Sequence, residues 1–131
     1  MIGLDTNVLL RLLVRDDIAQ YEAAARFVKD AVGRGESFFI NRIVVAELAW
    51  ALARTYRRSR EEISDAIEHI LKTAEFEVEG STLVWVALHE YQRSNVDFAD
   101  CLIGALNRTA GCSATATFDR DAARLESFKE L

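Results

Sequence analysis

Short apolar runs alternate with longer stretches of helical periodicity along the whole chain, and this alternation constrains the fold more than any other feature. Residues 2–4 and "SFFI" at 37–40 read as buried strands, and "FEV" at 76–78 as a third. "SATAT" at 113–117 and "FKEL" at 128–131 read as two more, the last at an edge. Between them the spacing predicts helices over 8–14 and 18–32, the second with Tyr21, Ala24, Ala25, Val28 and Val32 on one face. Further helices are predicted over 43–56 and 59–73. The second of these opens with Ser59 three residues before Glu62, the capping-box pattern. Ser81 can cap a helix running to Tyr91, and another begins near Asp97 and stops at Gly111, followed by a helical turn over 120–125. Strands that alternate with helices imply a parallel sheet covered on both faces. The expected fold is a three-layer α/β/α sandwich around a central parallel sheet of four or five strands.

The 131 residues are half hydrophobic, enough for one domain, 1–131, with a substantial core. Charged residues make up 28% and no long apolar run interrupts them, so no membrane span is expected. The N-terminal apolar residues have no basic lead-in, which argues against a signal peptide. Cys101 and Cys112 lack metal-type spacing and are expected as reduced, mostly buried thiols. A cytoplasmic location follows as the expectation. The net charge of −5 gives no overall footprint for nucleic acid. It leaves room for a protein that collects cations on a cluster of acids, because bound metal inverts the local sign.

Several acids sit where apolar residues are expected. Asp5, in "MIGLDTNVLL", separates two apolar stretches, and a carboxylate buried there would need a hydrogen bond, a partner or a metal. It also follows the first strand directly, at the sheet edge where ligands bind, and it can cap the next helix. Glu47 is the single charge in "IVVAELAWALA" and shares a helical face with Val44, Leu48 and Ala51. Asp97 and Asp100 project from one side of a first helical turn, where acids also favour the helix dipole. Asp119 and Asp121 follow the fourth strand and can cap the turn after it. Read together, Asp5, Glu47, Asp100 and Asp119 fall at one edge of one sheet. Like charges in a cleft raise one another's pKa unless cations hold them. All-oxygen ligands suit Mg²⁺ or Mn²⁺, and an acid cluster without His or Cys points to phosphoryl chemistry by activated water. His69 and His89 are isolated, mid-helix, and read as ordinary surface or core-edge residues.

The segments "GLDTNVLLRLL", "VVAELAWAL", "DFADCLIGALN" and "TFDRDAARL" resemble, in order, the signature blocks of the PIN-domain family, specifically its VapC-type toxins. The resemblance implies a Mg²⁺- or Mn²⁺-dependent endoribonuclease acting on cellular RNA, commonly tRNA or rRNA, and silenced by a VapB-like antitoxin. It puts the family's four acids on Asp5, Glu47, Asp100 and Asp119. It sets Thr6 beside the first acid and Thr117 before the last, where either can orient a carboxylate or the water. Asp97 can share in the metal site, and Asp121 can substitute for Asp119. The resemblance also implies a homodimer, with an antitoxin tail across the active-site groove and a basic residue of that tail at the acids. Trp50, Tyr56 and Phe38 are apolar candidates for such surfaces, although Trp50 can equally be core. Arg11, Arg15, Arg42, Arg54, Arg57 and Arg58 are candidates for RNA phosphates, although "RTYRRSRE" also reads as a solvated helix end. The chain departs from the family at "ESF", where relatives often turn with Pro-Gly, which leaves the start of the last strand open.

Two rivals share the sheet-edge acids. A haloacid-dehalogenase-like phosphatase needs a second Asp two residues after Asp5, and Asn7 stands there. A receiver-like domain, which also clusters acids around Mg²⁺, needs an acceptor Asp after the third strand, and "FEVEG" has none.

Overall fold

The structure is a computed structural model that describes all residues, Met1–Leu131. Its order is β1 (Ile2–Gly3), α1 (Thr6–Leu13), α2 (Ile18–Gly33), β2 (Phe38–Ile40), α3 (Arg42–Arg54) and α4 (Arg60–Lys72). It continues with β3 (Phe76–Val78), α5 (Ser81–Arg93), α6 (Phe98–Thr109), β4 (Thr115–Thr117), a 3₁₀ turn (Ala122–Arg124) and β5 (Phe128–Glu130). The fold is the expected α/β sandwich, with every strand pairing parallel. All five expected strands form. Their hydrogen bonds divide them into a ladder β1-β2-β3 and a separate pair β4-β5, rather than one continuous sheet.

In the first ladder Phe38 lies opposite both Ile2 and Phe76, and Ile40 opposite Val78. β2 is therefore the inner strand. Phe38 and Ile40 are fully buried, and Phe38 meets Phe76 edge-on at 6.1 Å and Phe27 at 6.2 Å. Around this strand α1 packs on α2 and α3, α3 on α4 and α6, and α5 on α4 and α6. Phe38 thus belongs to the core and is unavailable as a binding surface. Trp50 is the reverse case, 53% exposed on α3.

Local signals place most helix ends. Asn41 accepts from the Val44 amide at 2.9 Å and Asp17 from Gln20 at 3.0 Å, each satisfying an otherwise orphaned first-turn donor. Ser59 and Glu62 form the reciprocal capping box, at 3.1 and 3.0 Å. Ser81 does not cap α5. Gly80 occupies the cap position in the left-handed region at φ 60°, and Ser81 becomes the first helical residue.

The α2 stripe has the expected period but less depth. Ala31 is its one buried residue; Tyr21, Ala24, Ala25 and Val28 are half-buried and Val32 is exposed. Cys101 is buried as expected, whereas Cys112 lies past the end of α6 and is exposed. No helix is long and apolar enough to cross a membrane. The last strand starts without Pro-Gly: the Phe128 amide donates to Leu125 O at 3.0 Å, closing the turn. That turn lies against Gly104 of α6, where a Cβ would stand 2.7 Å from the Phe128 ring and 2.9 Å from Ser127 Oγ. Replacing the most central side chain by Phe38→Ala should cost about 3–5 kcal/mol, read as a lower denaturant midpoint in equilibrium unfolding.

Candidate active site

The sheet edge is built from strand ends that become helix caps. Leu4 N donates to Phe39 O at 3.0 Å, which carries the ladder to the residue before Asp5. Asp5 then turns the chain into α1. Its backbone carbonyl accepts from Val8, and its Oδ1 accepts from the Thr6 amide at 2.8 Å. The carboxylate is exposed, contrary to the burial expected from its apolar surroundings. The chain alternates here, Leu4 and Thr6 inward and Asp5 outward. The unexpected burial is next door: the Thr6 hydroxyl is buried with no hydrogen-bond partner. Leaving such a group unsatisfied costs about 1–3 kcal/mol, so its position calls for an explanation.

Asp119 closes the equivalent turn after β4. Its Oδ1 accepts from the amides of Asp121 and Ala122 at 2.8 and 3.2 Å, and Thr117 Oγ1 accepts from the Asp119 amide at 2.9 Å. Thr117 therefore fixes the backbone of Asp119. Asp121 makes no cap bond, and its carboxylate faces Arg124 at 3.8 Å.

Asp97 occupies the N-cap position of α6, and its carbonyl accepts from the Cys101 amide at 3.1 Å. Its side chain makes no cap bond, so the capping role is carried by the backbone alone and the carboxylate stays uncommitted. Asp100, one turn into α6, is half-buried. Burial raises its pKa above the usual carboxylate range, and the charges of Asp119 and Asp97 raise it further. Those three acids form one electrostatic group. Glu47 lies exposed on α3, between buried Val45 and Leu48, and makes no ion pair; α3 packs against α6. No three carboxylate, imidazole or thiol groups converge tightly enough to enclose a cation between them. His69 and His89 are exposed, as expected, and His89 lies against Trp85.

Residues 2–127 match the PIN domain. The chain belongs to the PIN domain family. A curated relative, the VapC ribonuclease of Aquifex aeolicus (strain VF5), is 30% identical over 117 residues, covering 89% of this chain and 86% of that protein. All four sequence blocks quoted above fall inside the matched PIN segment.

The arginines of this PIN domain are mostly committed. Arg11 bonds Tyr56 Oη, Gln20 and Asp16. Arg42 pairs with Glu79, Arg58 with Glu62, and Arg15 and Arg54 lie over the rings of Tyr21 and Trp50. Arg57, with φ 52°, makes no ion pair. Sequence reasoning passed over Arg60, the one arginine of "RTYRRSRE" that reaches into the fold. Its Nη2 faces three backbone carbonyls, those of Tyr91, Ser94 and Val96. Nothing local marks it, because those partners lie 31 to 36 residues on.

The raised pKa of Asp100 has a stability consequence whose sign is fixed. At pH below the ordinary carboxylate range both folded and unfolded chains hold the proton, and the site costs nothing. As pH rises from the ordinary value to the raised folded pKa, the unfolded chain loses this proton while the folded chain keeps it, so stability falls, and above the folded pKa the cost is full. Without divalent metal, Asp100→Asn should therefore raise the thermal midpoint at pH 7. The gain should vanish on titration below the carboxylate range, measured by scanning across pH in a chelating buffer.

Proposed function

We propose that this chain is a VapC-type toxin, an endoribonuclease that uses Mg²⁺ or Mn²⁺ to hydrolyse phosphodiester bonds in cellular RNA of the tRNA or rRNA class. The observation that carries the reading is that Asp100 stands half-buried in the first turn of α6 with the charges of Asp119 and Asp97 acting on it, on a PIN fold. A protein keeps such a group of like charges where a cation or a proton is meant to arrive.

The chemistry of the donor set suits that cation. Asp5, Glu47, Asp100 and Asp119 offer hard oxygen donors, the ligands that Mg²⁺ and Mn²⁺ prefer, with neither thiol nor imidazole among them. The unpartnered Thr6 hydroxyl, on the residue after Asp5, is a buried oxygen of the kind an ordered water or ligand atom would satisfy. Asp5 uses only Oδ1 in its hydrogen bond, leaving Oδ2 for a ligand. Asp97 can share in the site, because its carboxylate makes no competing bond. Asp121 is the weaker substitute, since it stands near Arg124 while Asp119 closes the strand turn. When bound, the metal supplies Lewis acidity to the attacking water and to the phosphate.

The chain's own residues supply position and proton handling. Thr117 holds the backbone of Asp119, and α6 holds Asp97 and Asp100 in its first turn. The charges of Asp97 and Asp119 on Asp100 are offset once a cation is bound, so that a water in the site finds ionised carboxylates to take its proton. The neighbouring carboxylates repel an RNA backbone unless the cation is present, which ties substrate approach to metal loading. On the same reading the protein works in the cytoplasm as a homodimer, and a VapB-like antitoxin silences it by bringing a basic residue to the acids. A phosphatase of the haloacid type would need an acid where Asn7 stands, inside α1.

Asp5→Asn keeps an oxygen for the helix cap while removing the charge. It should leave circular dichroism unchanged and lower Mn²⁺-dependent RNA cleavage by on the order of 100-fold or more. Growth arrest on expression should disappear with it. Full cleavage by folded Asp5→Asn would overturn the assignment.

A further inference from the structure

We propose that Arg60 is a positioning residue for the acid group: its guanidinium ties down the turn between α5 and α6 and so sets where Asp97 and Asp100 stand. The proposal rests on the reading of those acids as the cation site. The turn consists of residues 94–97; its Asp97 carbonyl accepts from the Cys101 amide, while those of Ser94 and Val96 receive no backbone amide. α5 ends on Ser94 in extended conformation, with no left-handed residue and a single long backbone bond, the Ser94 amide to Tyr91 O at 3.4 Å. Arg60 supplies a further donor. Its Nη2 lies 2.7 Å from Tyr91 O, 2.9 Å from Ser94 O and 3.0 Å from Val96 O. The last of these carbonyls belongs to the residue immediately before Asp97.

Both ends of the strut are fixed. At its root, Arg60 is the first residue of α4, held by the Ser59–Glu62 capping box. At its tip the guanidinium lies over the Tyr91 ring, 3.8 Å from its centroid. Tyr91 is itself buried and meets Phe98, the first residue of α6, edge-on at 6.0 Å. Cys101 Sγ approaches the same Val96 carbonyl at 3.9 Å. The positive charge therefore sits on a helix C-terminus and a ring face, where it is well compensated. It touches none of the acids through a hydrogen bond or ion pair. Its effect on them passes through the backbone of 94–97, the way outer-layer partners orient ligands in known metal sites.

The test uses the full chain and two substitutions, Arg60→Met and Arg60→Lys, with Arg93→Met at the exposed end of α5 as control. Lys retains the charge, but its side chain is one atom shorter and has no planar face to stack on the ring. Three quantities are read on each: folding by circular dichroism, amide exchange over residues 94–101, and Mn²⁺ affinity by titration without RNA. Folded Arg60→Met should exchange faster over 94–101 and bind Mn²⁺ about 10–100-fold more weakly, with Arg60→Lys intermediate and Arg93→Met unchanged. If Arg60→Met fails to fold, the Arg60→Lys affinity decides alone. Wild-type Mn²⁺ affinity in a folded Arg60 variant overturns the proposal and leaves the nuclease reading intact. Equal Mn²⁺ binding by the unaltered chain and by Asp5→Asn would remove the cation site itself, and the proposal with it.

Discussion

Parallel pairing of short strands is the constraint from which the rest of this structure follows. A parallel strand must be followed by a crossover, so each strand end feeds a helix start on the same side of the sheet. Helix starts expose unpaired amides, and those amides select oxygen side chains. Asp5, Asn41 and Asp119 answer that demand after β1, β2 and β4. The demand itself therefore draws carboxylates to one edge, and what makes that edge chemical is the surplus. Asp97 and Asp100 add negative charge that no amide, lysine or arginine takes up.

This surplus sets the electrostatic character of the molecule. Most of the arginines face acids, rings or carbonyls elsewhere, so the acid edge has no internal counter-ion. The folded state tolerates it because Asp5, Asp97 and Asp119 remain exposed, where water screens them. Asp100 is drawn partly inside, and burial together with the charges of Asp119 and Asp97 raises its pKa. The stability given up at this edge is recovered in the Phe38 layer and in the close seat of the last strand against Gly104. Both are built from groups that carry no charge.

Legibility in the sequence followed the range of the interaction responsible. The Ser59–Glu62 cap depends on four consecutive residues and was readable in full. So were the strands 38–40 and 76–78, whose apolar runs are bounded by turns. Period was readable in α2, but depth was not, because spacing identifies a face without saying what covers it. Asp5 misled for a related reason: its neighbours along the chain are apolar, but in extended chain they point the other way. The division of the five strands into three and two was hidden, since it depends on which distant segments come into register. Arg60 was hidden for the same reason. Of the candidate site, the four acids are proposed from their sequence blocks. The electrostatic grouping of Asp97, Asp100 and Asp119, and the freedom of the Asp97 carboxylate, needed coordinates.

The two cysteines turn the fold into its own reporter. Burial pushes the Cys101 thiol up to about 11 and shields it behind the turn before α6, while Cys112 stands in solvent. The nucleophile toward alkylating reagents is the thiolate, so the native chain offers such a reagent one fast site and one latent site. The latent site lies next to Asp100 in the sequence. Its slow modification counts the moments when the first turn of α6 lets go, a kinetic clock attached to the carboxylate that the fold holds least comfortably.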